Sequence, residues 1–472
     1  MVEWRLHPAY SFKYVKYGLL LCVIPIVQAV IAWDIESAFA AVRQNLVILV
    51  SMAVAALILW SRTSLSFNER EIRIREGLFL RRETVLQRDM LTAITIERPM
   101  RYRLTGGSKV RFYLRSPSSP SAVAVPLSKT RARVVAELFM PRRGTPVSFR
   151  PSGGEWLNYL MLSVDVVTGV VFGVMAVQRM TRIFGEEFKE TAMQGLLTAE
   201  HVVQLFVPAG AAVAVTLLLL VYGLALGRSI FQASDFQVKR YGDVIVTTGG
   251  LLTKRENRLF LSEITSTEMR VTWPARVLRR FPVYVNAGGY REKDLPVMLY
   301  HKGNLTKVKQ LLPGFVSPFL SYCKSPKGKS FLQYMWPPLA MVGVFGAAIG
   351  LCQNLLPGMV PILLLPLFLA LVYLLISAEG IAKEGVRRNP EGSISLSCAG
   401  FLNRRIVTVY TADVFLRVTT STTGQLAGRC SLRLKTRDRL NCYVRGVPVS
   451  EARGILPLAS EAAPELQLYR ER

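Results

Sequence analysis

Read for hydrophobic and polar positions, the chain alternates between long apolar runs and polar stretches with a period of two. The apolar runs come in pairs: Tyr17 to Trp33 with Asn45 to Trp60, Trp156 to Val177 with Val202 to Leu226, and Tyr334 to Leu351 with Met359 to Ile376. Helices of this length, at about 1.5 Å per residue, approach the ~30 Å thickness of a bilayer's hydrocarbon core. The pattern predicts six transmembrane helices in three pairs. Trp33, Trp60, Trp156 and Trp336 fall at run ends, where an amphipathic ring suits the headgroup level. The basic N-terminus and Ser37-Ala-Phe-Ala40 loosely resemble a signal peptide, but a second apolar run follows at once, so the first is expected to be retained.

The polar stretches repeat. Each carries a glycine, two bulky apolar residues and an arginine five positions on: Gly77-Leu-Phe-Leu-Arg-Arg82, Gly250-Leu-Leu-Thr-Lys-Arg255 and Gly400-Phe-Leu-Asn-Arg-Arg405. The strands leading in alternate, with Ile72 and Ile74, Val244 and Val246, and Ile394 and Leu396 as the apolar positions. Each copy ends in a short helical pattern closed by proline, at Ser128 to Pro141, Asn304 to Pro313 and Ser450 to Pro457. Ser or Asn can cap such a helix, and proline cannot continue its interior. The predicted unit is a pair of membrane helices, a small antiparallel β domain and a closing helix. The expected fold is therefore an α+β membrane protein, with helices 1–2 in residues 1–60, a β domain at 61–147, helices 3–4 at 148–226, a β domain at 227–328, helices 5–6 at 329–376 and a β domain at 377–472.

Charge adds a direction. The chain carries 59 Lys and Arg against 32 Asp and Glu, a net +27, with 51% hydrophobic residues. The excess sits in the β stretches, while the short connectors 34–44 and 178–201 are slightly acidic. By the positive-inside rule the termini and the three β domains are expected in the cytoplasm, with the chain in the cell membrane. Such hydropathy excludes disorder, and the charge then reads as topology rather than nucleic-acid binding. Six cysteines show no metal-binding spacing and read as free thiols.

Arg5-Leu-His-Pro8 before the first run, the paired runs, the Gly77-Leu-Phe hairpin and Arg103-Leu-Thr-Gly106 together resemble the YdbS/YdbT-like bacterial pleckstrin-homology (PH) membrane family, in its long three-module branch. The second copy departs most, with Ala275-Arg-Val-Leu-Arg-Arg280 where Arg-Leu-x-Gly stands in the first. The resemblance implies PH-like β-sandwiches capped by a helix, a bacterial cytoplasmic membrane, a shorter YdbS-like partner and no enzymatic activity.

Candidate site residues follow from charge and position. Arg82, Arg255 and Arg405 either point at phosphates of anionic lipid or a partner, or sit on a solvated face beside glycines Gly77, Gly250 and Gly400 that supply the hairpin's positive φ. Basic clusters recur at Arg101, Arg103, Lys109, Arg111 and Arg115, at Arg276, Arg279 and Arg280, and at Arg429, Arg433, Lys435, Arg437 and Arg439. Each basic residue near an anionic leaflet contributes about 1 kcal/mol, and the same charges also serve as topology signals. Asp165, the lone acid well inside an expected span, serves either helix packing or a transport path. The histidines His7, His201 and His301 are scattered and no catalytic, nucleotide-binding or metal motif is present, so neither cofactor nor metal is expected. The expected function is a membrane-associated scaffold binding lipid headgroups or protein partners, with transport through the helices as the alternative.

Overall fold

The computed structural model describes residues 2–10, 35–77, 81–115, 122–151, 186–205, 233–291, 296–315, 331–355, 360–389, 392–400, 403–410, 414–436 and 440–461, with isolated positions between 152 and 232. Among them one helix is long and apolar enough to cross a membrane, Tyr334–Gln353. This overturns the six-helix reading: the described fold is α+β, built on four antiparallel sheets. In the helix Ile35–Ser61 the described apolar stretch is Val50–Ser61, too short to cross a bilayer by itself. The expected runs 17–33 and 156–177, and most of 202–226, lie outside the described residues, as does Asp165.

The first sheet is β1 (Val2–Arg5), β2 (Ser64–Phe67), β3 (Glu71–Glu76) and β4 (Arg82–Gln87), paired in that order. The next strands are β5 (Leu91–Pro99), β6 (Gly107–Leu114) and β7 (Ala122–Ser128), closed by the helix Lys129–Phe139. Alternation builds them: β6 buries every second residue, and the helix buries Ala132, Val135, Ala136 and Phe139 on one face. The Ser128 side chain accepts from the Arg131 backbone N–H at 3.4 Å, as a cap should. Asn304 instead donates its side-chain amide to the Leu299 carbonyl at 3.5 Å, and the last helix, Val449–Glu461, runs on past Pro457.

The sheets do not stay within one repeat. β8 (Val147–Phe149), β9 (Gln237–Tyr241), β10 (Val244–Gly249) and β11 (Thr253–Phe260) join β5 to β7 in a single seven-stranded sheet through β5 and β11. In the same way β12 (Ile264–Thr272), β13 (Phe281–Ala287) and β14 (Tyr290–Arg291) join β16 (Gly385–Arg388), β17 (Ile394–Gly400) and β18 (Asn403–Val409) through β12 and β18. β15 (Met298–Tyr300) adds to β13. The chain ends in β19 (Val414–Thr419), β20 (Arg429–Thr436) and β21 (Asn441–Pro448), a three-stranded sheet.

Three buried apolar clusters fill the space between these sheets, and the joined sheets contribute to two clusters at once. Val244 and Val246 face the first cluster, around Ile94, Ile96 and Phe112, while Ile245 faces the second, around Met269 and Val283. The expected alternation in β10 is therefore a strand buried on both faces, as its unbroken Val-Ile-Val suggests. Tyr334, at the foot of the apolar helix, donates to Glu384 at 2.9 Å, and Arg445 lies over its ring at 4.6 Å, fixing that helix to β21.

Candidate anion-binding cleft

The seam between β5 and β11 positions most of the basic groups that come together. Antiparallel pairing puts Lys254 opposite Arg98, Arg255 opposite Glu97 and Glu256 opposite Ile96. Like charges directly across a strand pair repel, so the Arg98–Lys254 placement costs stability unless an anion sits between them. A cleft of about 240 Å³ opens here, lined by Arg98, Lys129, Arg133, Lys254 and Arg255, with Asp235 and Glu256 as the opposing acids. Lys129 and Arg133 are four apart on the closing helix, hence on one face, and Lys129 opens that helix at its positive dipole end.

The cleft holds unspent donors. The Nε of Arg98 and the hydroxyl of Ser108 are buried without a hydrogen-bond partner. Burial, then the charges of Arg103 and Arg133, hold the Arg98 guanidinium below the usual arginine range. All three effects disfavour the cation, and a bound anion would reverse the imbalance. Arg255 and Arg111 reach Glu97 at 3.7 and 3.0 Å, which holds two of the cations in place.

Other expected site residues are dispersed. Arg82 opens β4 and is exposed, and Arg101 and Arg103 lie exposed on the short helix Met100–Leu104. Arg103 donates to the Leu251 carbonyl at 2.9 Å, pinning the Gly250 hairpin against the first repeat. Lys109 is half-buried on β6. Arg279 ends the helix Trp273–Leu278 in the left-handed region, φ 53°, with Arg280 beside it. Arg433 donates to Asn441 at 3.0 Å on the last sheet, where Lys435 is exposed. Arg405 instead joins a buried cluster at the β12–β18 seam, where Glu268 meets Arg270 at 2.8 Å, Arg291 at 3.5 Å and Arg405 at 3.6 Å.

With the geometry in view, comparison with known families is informative. Residues 19–142 match the family model for the bacterial PH domain. That match spans β2 to β7 and the closing helix, the part of the chain that supplies Arg98, Ser108, Lys129 and Arg133 to the cleft. Comparison with curated proteins and with solved structures gave no match. PH domains are binding modules as a rule, and among the described residues no group of three His, Cys, Asp or Glu could hold a metal.

Sequence reasoning found Arg255 through the repeat and missed Arg98, Lys129, Arg133 and Lys254. The spacing Lys129, Arg131, Arg133 at a helix start was a usable signal for two of them. Arg98 and Lys254 had none, since they meet only through a pairing between repeats.

Proposed function

We propose that the chain is a membrane-associated scaffold of three PH-like units fused edge to edge, and that the cleft between the first two binds a phosphate-bearing lipid headgroup. One observation carries the reading: Arg98 and Lys254 stand opposite each other beside a partnerless Arg98 Nε and Ser108 hydroxyl. The bacterial PH domain at 19–142 supports a binding role over a catalytic one. Membrane attachment is supported by Tyr334–Gln353, an apolar helix that leaves Trp336, Leu339, Met341 and Val344 exposed. The flanking strands β15 and β16 belong to one sheet, so both ends of this helical region stay on the same side, and Val360–Lys383 packs along the apolar helix. The basic units then face the cytoplasmic leaflet, whose anionic lipids they attract.

The test uses full-length protein in detergent with short-chain phosphatidylglycerol and phosphatidylcholine. Binding of the anionic lipid alone, weakened by salt, is expected. Replacing Arg98 and Lys254 together with alanine should weaken it about 30-fold, from ~1 kcal/mol per basic group. Equal binding of the neutral lipid would sink the proposal.

A further inference from the structure

The two seams inside the chain are built to one rule. In each, the strand after the hairpin glycine pairs with the strand that precedes a short helix in the repeat before it: β11 with β5, and β18 with β12. The register is the same in both. Arg255 and Arg405, five residues after Gly250 and Gly400, face Glu97 and Arg270, each three residues before the helices Met100–Leu104 and Trp273–Leu278.

Among the described residues, the two ends of the array carry these same strands with nothing paired to their outer edges. β4 begins at Arg82, five residues after Gly77, and is the last strand of its sheet. β19 precedes the short helix Thr422–Leu426 and is likewise an edge, among the described residues. The side chains agree. At the interior seams four of the six side chains at the sixth, eighth and tenth positions after the glycine contact the preceding repeat: Phe260 on the first cluster, Ile406 and Tyr410 on the second, while Arg258 donates to the Met140 carbonyl at 3.0 Å. The equivalents on β4, Glu83, Val85 and Gln87, are all exposed, Val85 by 47%. On β19 the outward Phe415 is 52% exposed, a large ring left on an open edge.

We propose that a second copy of this chain completes the missing seam, with β4 of one molecule pairing antiparallel to β19 of the next in the interior register. Arg82 then faces Thr419, Val85 faces Leu416, and Phe415 faces the core residue Leu86. Unpaired edge strands are ready templates for such addition, and continuity with two seams already formed specifies which edge each accepts. Because the two edges are different surfaces, the contact is head-to-tail, and it builds a ring or a filament rather than a two-fold dimer.

Cysteine cross-linking on full-length protein tests the register. Arg82→Cys and Thr419→Cys chains, mixed and oxidised, should give a covalent dimer that neither chain forms alone. Arg82→Cys mixed with Lys435→Cys, one strand further in, should stay at background. In sedimentation velocity the wild type should associate with rising concentration, and Val85→Lys should weaken that at least tenfold with an unchanged melting curve. A wild type that stays monomeric, a cross-link no stronger than the Lys435 control, or an Arg82→Cys chain that dimerises with itself would each overturn the proposal.

Discussion

Glu268 shows how much one buried residue can decide. Its side chain is fully buried at the seam of β12 and β18, within reach of Arg270, Arg291 and Arg405. Burial pushes the carboxyl up, but the three guanidiniums outweigh it and hold the group below its ordinary 4.5. A carboxylate with a depressed folded value contributes stability that is present above pH 4.5 and is lost as pH falls through that folded value. Arg270 also stacks on Tyr284 at 3.9 Å, so the cluster is packed as well as paired. Glu268→Gln leaves these arginines without their anion and is expected to cost about 3–5 kcal/mol at neutral pH. Unfolding curves from pH 7 to 3 should show the variant less stable at pH 7 and converging on the wild type in acid. A parallel loss at every pH would refute the electrostatic assignment.

At the scale of single elements, the hairpins were the most legible part of the fold. Gly77 and Gly250 adopt φ of 116° and 100°, as the repeat predicted, because the turn needs a conformation that side chains disfavour. At Gly250 an added Cβ would also lie 2.1 Å from the Thr253 carbonyl oxygen, a contact that backbone cannot relieve cheaply. Gly250→Ala should therefore cost on the order of 1–3 kcal/mol or more, read as a lowered melting temperature, and should loosen the Arg103 contact to Leu251. The third hairpin is tighter: Gly400 pairs with Asn403, whereas Gly249 pairs with Arg255 and Glu76 with Arg82. The seams were not legible, because strand alternation tells which face of a strand is buried and nothing about whose edge it meets. For that reason Arg405 read as a free cation like Arg255, although the one pairs with a fully buried carboxylate and the other lines an open cleft. The apolar runs misled differently: composition marks a stretch as greasy whether it meets lipid or other protein, and among the described residues Tyr334–Gln353 alone has the length and hydropathy of a span.

At the scale of the whole molecule, sheet pairing constrains topology more firmly than hydropathy does. β1 and β2 are neighbours in one sheet, β8 and β9 in the next, and β15 and β16 share the third, so each intervening stretch, 6–63, 150–236 and 301–384, leaves and re-enters the same sheet. The sheets are tied in turn by shared clusters, since Val244 and Val246 of the second sheet pack on the cluster of the first. If any of those stretches enters a bilayer, it must do so an even number of times, and all four sheets lie on one side whatever the number of crossings. Single cysteines at the exposed positions Arg70, Lys309 and Lys435, one in each repeat, report this directly. In sealed vesicles, with Cys22, Cys323 and Cys352 replaced by serine and Cys398, Cys430 and Cys442 buried, a membrane-impermeant maleimide should label all three variants in the same orientation and none in the opposite one. Labelling of any two from opposite faces would mean that a sheet had been threaded through hydrocarbon, which its backbone hydrogen-bonding groups forbid outside a closed barrel.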